Sequence, residues 1–276
     1  MQRVVWGRGP DDDDLVLWIR RQLRGVLDRI YVRRLAGRLP LDLMPRHIGI
    51  MVDGNRRWAR SVGFPDPADG HRAGGAKIPT FLRWCDAYGI EQVTIYLLSD
   101  DNLNRAEPEL TALLGIIEDV IGELAAPGNP WQITPIGTLD LLPDATALGI
   151  KEAADRTVGR TGGARVNVAI GYGGQREIAD AVRSAIGEQR ALGVPLDEIL
   201  ESFDAELISR HVYTATQAPL DMIVRTSGEQ RLSGFMLWQS AYAEMHFCEC
   251  YWPDFREIDF LRALRAYAGR NRRFGR

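Results

Sequence analysis

The chain has 276 residues, 45% of them apolar and 26% charged, with 34 Lys and Arg against 37 Asp and Glu and a net charge of −3. That composition sustains a folded core and excludes general disorder. The near-neutral balance argues against a nucleic-acid binder, which carries a basic footprint, and no stretch approaches the ~18 apolar residues of a membrane span.

Residues 1–14 contain the acidic run Asp11–Asp14 without the apolar region of a secretory signal, and read as a disordered tail. Residues 15–37 read as an amphipathic helix, with Leu15, Ile19, Leu23, Val26, Leu27, Ile30 and Tyr31 at helical spacing. Seven Arg lie between residues 20 and 38 against one acid, Asp28. Such a helix can lie on an anionic membrane. It can equally pack on the protein with its charges solvated, the reading favoured here because Arg is spread around the wheel.

Pro40 and Pro45 separate this accessory segment, residues 15–44, from a main domain over residues 45–276. His47–Val52 reads as a buried strand. A polar loop, Ser61–Gly70, precedes a helix over Ala76–Tyr88. Further strands are expected at Gln92–Leu98, Gln132–Ile136, Val166–Ile170, Met222–Arg225 and Met245–Cys248, with helices at Pro108–Leu124, Arg176–Arg190 and Phe255–Ala268. Strands alternating with helices predict a single α/β domain around a mostly parallel sheet of about six strands. Ligands of such sheets sit beyond the carboxyl ends of the strands.

Three polar clusters fall at such ends. Asp53-Gly54-Asn55-Arg56-Arg57 stands where a strand passes into a helix, and backbone N–H groups there, with two Arg, suit an anion. Asp53 amid those charges is explained by a Mg²⁺ ion bridging it to a phosphate; a simple N-cap Asp is the alternative. Arg225-Thr-Ser-Gly-Glu-Gln-Arg231-Leu232-Ser233 spaces two guanidiniums and hydroxyls as a diphosphate requires; a turn with an ion pair to Glu229 is the alternative. Ser99-Asp100-Asp101-Asn102-Leu103-Asn104-Arg105 can bind metal or open a helix.

Other signals are weaker. His246, Cys248 and Cys250 share a strand face but lack a fourth Zn²⁺ ligand. Gly171-Tyr-Gly-Gly174 lacks dinucleotide-binding spacing. Three cysteines (Cys85, Cys248, Cys250) are the low, odd count of a reducing compartment, so a cytoplasmic location is expected, with membrane contact through the first helix as a variant.

The clusters HIGIMVDGNRRWAR, GHRAG, RTSGEQRLSGFMLWQSAYAEMHF and WPDF…RRFG, in this order, resemble the cis-prenyltransferase, or undecaprenyl diphosphate synthase, family from about His47 to Gly275. The resemblance implies condensation of isopentenyl diphosphate with an allylic diphosphate, a new Z double bond, a Mg²⁺ cofactor and a homodimer. It implies that Asp53 holds the metal and assists departure of the allylic diphosphate. Gly54, Asn55, Arg56 and Arg57 would cradle that diphosphate, with Trp58 and His71 beside it. Arg225, Arg231, Leu232 and Ser233 would bind isopentenyl diphosphate, and Glu244 would complete the metal site, often in the neighbouring subunit's environment. Ser99, Asp100, Asp101, Asn102, Leu103 and Arg105 match the element in which the Asn is assigned to proton removal. Asn is a poor base, so Asn102 is expected to position the isopentenyl group while the departing diphosphate takes the proton.

The chain departs from the family pattern in two places. Leu103 stands where many members have Trp. Pro67, in a loop one residue longer, stands where many have a basic residue, leaving Arg60 or Arg72 to substitute. Leu97, bulkier than the small residue of long-chain relatives, is expected to share a face with Val93 and Ile95 and to shorten the product tunnel. The expected product is therefore C15, from geranyl diphosphate, as in short-chain actinobacterial Z,E-farnesyl diphosphate synthases. The alternatives are a decaprenyl- or undecaprenyl-type synthase and a non-catalytic lipid-binding subunit. The apolar stretch Phe235–Phe247 is a candidate dimer segment or core.

Overall fold

The computed structural model describes residues 30–270. The acidic tail, most of the first expected helix and the closing residues 272–275 lie outside the described residues. Six strands form one wholly parallel sheet in the order β3-β4-β2-β1-β5-β6. They are β1 (His47–Met51), β2 (Gln92–Ser99), β3 (Gln132–Ile136), β4 (Arg165–Tyr172), β5 (Met222–Arg225) and β6 (Glu244–Phe247). All five residues of β1 are buried, as an unbroken apolar run in a sheet covered on both faces requires. Pro135 sits in β3, and β3 is an edge strand; proline has no N–H for a ladder hydrogen bond and is tolerated where that side of the strand has no neighbour.

The helices are α1 (residues 30–36), α2 (Asn55–Ser61), α3 (Pro67–Ala87), α4 (Glu107–Leu124), α5 (Asp144–Asp155), α6 (Gly174–Ala191), α7 (Leu196–Glu201), α8 (Ala205–Ser209) and α9 (Glu257–Ala268). Among the described residues none is long and apolar enough to cross a membrane. The end of the accessory segment is packed on the domain: Leu35 and Leu39 are buried in the main core, and Arg262 of α9 lies 5.8 Å from the Tyr31 ring centroid.

Three element expectations need correction. The loop expected over Ser61–Gly70 is short, and α3 already begins at Pro67. Asp66 caps it by accepting from Ala68 N at 2.9 Å, and proline at the first helical position has no N–H to leave unpaired. Helices α5, α7 and α8 were not expected at all. In α5 the buried stripe of Ala147, Ile150, Ala153 and Ala154 is mostly alanine while Leu148 is exposed, which blurs the apolar periodicity. Third, the sheet register slips between Tyr96 and Leu98. This bulge breaks the period of two, and Leu97 and Leu98 both pack on the main core that Val93 and Ile95 enter, Leu98 buried and Leu97 partly buried.

Helices α2 and α3 touch through glycine. A Cβ on Gly70 would collide with the Asn55 carbonyl, and one on Gly74 would come 2.5 Å from Asn55 Oδ1. In contrast, a Cβ on the exposed Gly115 of α4 would meet nothing within 4 Å. Gly70→Ala should therefore lower stability by about 1–3 kcal/mol through overpacking. Gly115→Ala should raise it by about 0.5–1 kcal/mol through backbone entropy. Denaturant unfolding of the two variants checks this, and shifts of equal sign would contradict the packing described.

Candidate active site

The strand order places β1 between β2 and β5, and the chain winds away from β1 in both directions. The loops after these strands part there, which opens a crevice at their carboxyl ends. A pocket of about 510 Å³ occupies that crevice. Its walls include Asp53, Gly54, Asn55, Arg56, Arg57, His71, Leu97, Ser99, Asp101, Asn102, Arg105, Arg225 and Ser233, all singled out in the sequence.

Arg225 is the buried centre of the site, 4% exposed. Its Nε donates to Asp53 Oδ2 at 2.8 Å, and its Nη2 forms an ion pair with the same oxygen at 2.7 Å. Its Nη1 donates to the Arg231 carbonyl and, at 3.1 Å, to Ser233 Oγ. The Asp53 carbonyl accepts from Thr226 Oγ1 at 2.8 Å and from Trp252 N at 2.9 Å. Gly54 follows with φ +100°, and a Cβ there would strike the Tyr251 ring and Ser227. Only glycine lets the chain turn into α2 at this spot. Ser227 and Ser233 also hold positive φ, 76° and 47°, a strain typical of ligand loops.

On the opposite wall, Arg105 donates through Nε and Nη2 to Asn102 Oδ1 at 3.1 and 2.8 Å, and through Nη1 to Glu109 Oε1 at 2.8 Å. Arg56 reaches the same Glu109 oxygen at 3.2 Å. A guanidinium can only donate, so it fixes the Asn102 amide with oxygen toward Arg105 and Nδ2 free to donate elsewhere. His71, on α3, has its pKa lowered to about 4, first by burial and then by Arg105, and its buried Nε2 has no hydrogen-bond partner.

Both Arg225 contacts fall on Asp53 Oδ2, leaving Oδ1 uncommitted. Among the described residues no three His, Cys, Asp or Glu side chains converge on a point. A cation here must therefore take most of its oxygens from a ligand and water. That donor set fits Mg²⁺, which commonly uses one or two carboxylates plus phosphates.

Several expected site residues lie outside the pocket. The Trp58 indole turns outward, donating to Asp254 Oδ1 at 3.0 Å and packing on Phe64. Asp100 caps Asp101 N and faces Arg176 at 3.6 Å. Leu103 packs on the main core and Leu232 on the smaller cluster around Phe235. The Arg231 guanidinium points to Glu229, which also holds Arg57 at 3.1 Å; the ion pair weighed as the alternative in the sequence is present. Glu244 is far from Asp53: it pairs with Met222 at the amino end of β6 and receives Arg270. That is three residues, ~10 Å, short of the Arg225 level. Of the sequence's metal candidates, Cys248 is a buried free thiol with its pKa pushed up to about 12 by burial.

Sequence reasoning missed Tyr96, which lines the pocket, stacks on Phe235 at 4.7 Å and donates to the Tyr172 and Ser233 carbonyls. It thereby ties β2 to the loop after β5. Its only signal was a polar-tipped aromatic near the end of an apolar strand. Glu109 was missed too, because it belongs to the following helix.

Residues 50–275 match the prenyltransferase family described as undecaprenyl diphosphate synthase. The chain is 58% identical to isoprenyl transferase 2 of Streptomyces coelicolor over 94% of this chain and 100% of that protein. It is 53% identical to (2Z,6E)-farnesyl diphosphate synthase of Thermobifida fusca, over 92% and 98%, and 51% identical to the enzyme of that name from Mycolicibacterium smegmatis, over 90% and 95%. Lavandulyl diphosphate synthase from Lavandula x intermedia, solved with dimethylallyl diphosphate, superposes with a TM-score of 0.77 at 32% identity, covering 85% of this chain and all of that one. With its parallel sheet and arginine-lined crevice, the chain belongs to the undecaprenyl diphosphate synthase family and is a cis-prenyltransferase.

A bound anion favours a protonated imidazole, so the low pKa of His71 should rise when phosphate enters. A ring-nitrogen NMR titration should find the midpoint near 4 in the free protein and at least one unit higher with Mg²⁺ and inorganic pyrophosphate. An unchanged midpoint with the anion bound would place the phosphates away from His71.

Proposed function

We propose that this enzyme condenses isopentenyl diphosphate with a short allylic diphosphate, geranyl diphosphate, to give (2Z,6E)-farnesyl diphosphate. One observation carries the chain length. Beyond the main pocket, between α3 and α4, lies an apolar cavity of only about 30 Å³, with Leu97 in its wall beside Ile78, Leu113, Ile117 and Val120. That is room for about two water molecules and not for further five-carbon units. Relatives at about half identity named as (2Z,6E)-farnesyl diphosphate synthases support the same reading. Leu97 packs on the same core cluster as Val93 and Ile95 and stands in the cavity wall, which supports the tunnel argument.

In this reading Arg225 and Ser233 bind isopentenyl diphosphate, and the start of α2 with His71 binds the allylic diphosphate. Asp53 Oδ1 would hold Mg²⁺, which supplies positive charge to the departing diphosphate. The allylic C–O bond breaks, the isopentenyl double bond attacks the allylic carbon, and a proton leaves the isopentenyl C2. Asn102 presents its Nδ2–H to orient the isopentenyl group, and the departing diphosphate receives the proton. Leu97, Leu98 and Leu113 keep water from the cationic allyl group.

A dimer is part of the proposal. β6 is an edge strand, and Tyr242 beside it is 80% exposed. A second copy covering this face is the route by which Glu244 could approach a metal. The three free cysteines support a cytoplasmic setting.

The test is a product assay with Mg²⁺, labelled isopentenyl diphosphate and dimethylallyl, geranyl or E,E-farnesyl diphosphate in separate reactions. A single Z,E-C15 product from geranyl diphosphate is expected; a long ladder would refute the short-chain reading, and no product would refute the enzyme reading. Leu97→Ala should move the main product to C20 or longer, and an unchanged C15 product would remove Leu97 as the stop.

A further inference from the structure

The pocket is lined by five arginines, Arg56, Arg57, Arg60, Arg105 and Arg225. Four are already paired with carboxylates. Arg56 and Arg105 share Glu109, Arg57 holds Glu229, and Arg225 holds Asp53. An incoming phosphate must compete with those carboxylates, so its gain at each is a difference between two charge-assisted contacts. Arg60 has no ion pair or hydrogen bond from its side chain among the described residues, and it is exposed at the pocket rim. A phosphate that reaches Arg60 displaces only water.

The local fold explains why this cation is placed and free. Arg60 lies one helical turn after Arg56 on α2, so both face the pocket. The stretch after it, residues 61–69, carries Asp66 and Asp69 and no basic residue. Asp66 is spent on capping α3, and Asp69 pairs with Arg72 at 2.8 Å. Arg72 is thereby held outside the pocket, and no other cation of this connector reaches it. The connector is itself ordered by Val62 N to the Trp58 carbonyl at 3.1 Å, Phe64 N to the Ala59 carbonyl at 2.9 Å and the Trp58–Phe64 ring contact.

We infer that Arg60 is the specificity-determining cation for the allylic diphosphate: the uncompensated charge that captures it at the pocket rim and seats it against Arg56 and His71. The inference rests on the assignment of α2 to the allylic substrate. Arg60 contributes binding that is the same before and during reaction, so its loss appears in KM and not in kcat. Being exposed, it acts through a field that salt screens.

The test uses the full chain with Mg²⁺. Arg60→Gln should raise the KM for geranyl diphosphate about tenfold or more while kcat and the KM for isopentenyl diphosphate stay within about twofold, a split read as lost uniform binding. Arg60→Lys should recover most of the loss, and the deficit should shrink between about 50 and 500 mM salt. Arg72→Gln, outside the pocket, should leave all three constants within about twofold. Wild-type-like behaviour of Arg60→Gln, or the larger loss in Arg72→Gln, would overturn the inference. If the wild-type protein forms no Z-product, the functional reading fails instead. Calorimetric binding of inorganic pyrophosphate then decides: at least about fivefold weaker binding to Arg60→Gln upholds Arg60 as the capturing cation, and equal binding overturns it.

Discussion

The ion pair between Arg225 and Asp53 is the interaction on which the site depends. It closes the carboxyl ends of β1 and β5 across a buried position. Arg225 spends its remaining donors on the Arg231 carbonyl and Ser233, so one guanidinium also fixes the loop after β5. The Asp53 backbone, in turn, accepts from Thr226 and from Trp252, whose ring lies fully buried against Phe81 and Phe255. A charge this buried tolerates no vacancy opposite it. Asp53 is therefore a structural anchor as well as part of the pocket wall.

Around that anchor the site keeps its positive charges compensated. Glu109 serves two arginines from one wall, and Glu229 serves Arg57 and Arg231 from the other. Five guanidiniums facing one crevice without counter-charges would repel one another and destabilise the sheet edge. The carboxylates relieve that repulsion, and in the proposed reading they yield to a diphosphate, which brings more charge and more acceptor oxygens. Asn102 is held by the same network, its orientation set by Arg105. The charge balance of this wall and the orientation of the Asn102 amide are thus one set of hydrogen bonds.

The apolar side of the site depends on the close approach of α3 to its neighbours. Gly70 and Gly74 admit the Asn55 backbone and amide, and a Cβ on Gly75 would stand 2.6 Å from Val120 of α4. With glycine at these points, α3 closes on both α2 and α4, and little empty volume remains between α3 and α4. Packed interiors do not yield volume without cost, and in the proposed reading this cavity beside Leu97 is what limits the growing chain.

The amino-acid sequence by itself determined the six strands, the longer amphipathic helices and the polar clusters at the strand ends. The apolar runs at β1, β3 and β5 marked their strands to within a residue, because buried parallel strands are continuous hydrophobic segments. The polar clusters after β1, β2 and β5 marked the crevice, because loops at strand ends carry ligand groups. Tertiary structure alone decided which members of those clusters face inward. Trp58, Asp100, Leu103, Arg231 and Leu232 sit within the motifs yet turn to Asp254, Arg176, the core, Glu229 and the Phe235 cluster. Each of those partners is remote along the chain or depends on a loop conformation, and no local pattern encodes it. The bulge at Leu97 and the distance of Glu244 from Asp53 are of the same kind, since register is set by pairing between strands. The uncompensated charge of Arg60 is likewise a property of the assembled walls: among the described residues no carboxylate of the pocket pairs with it.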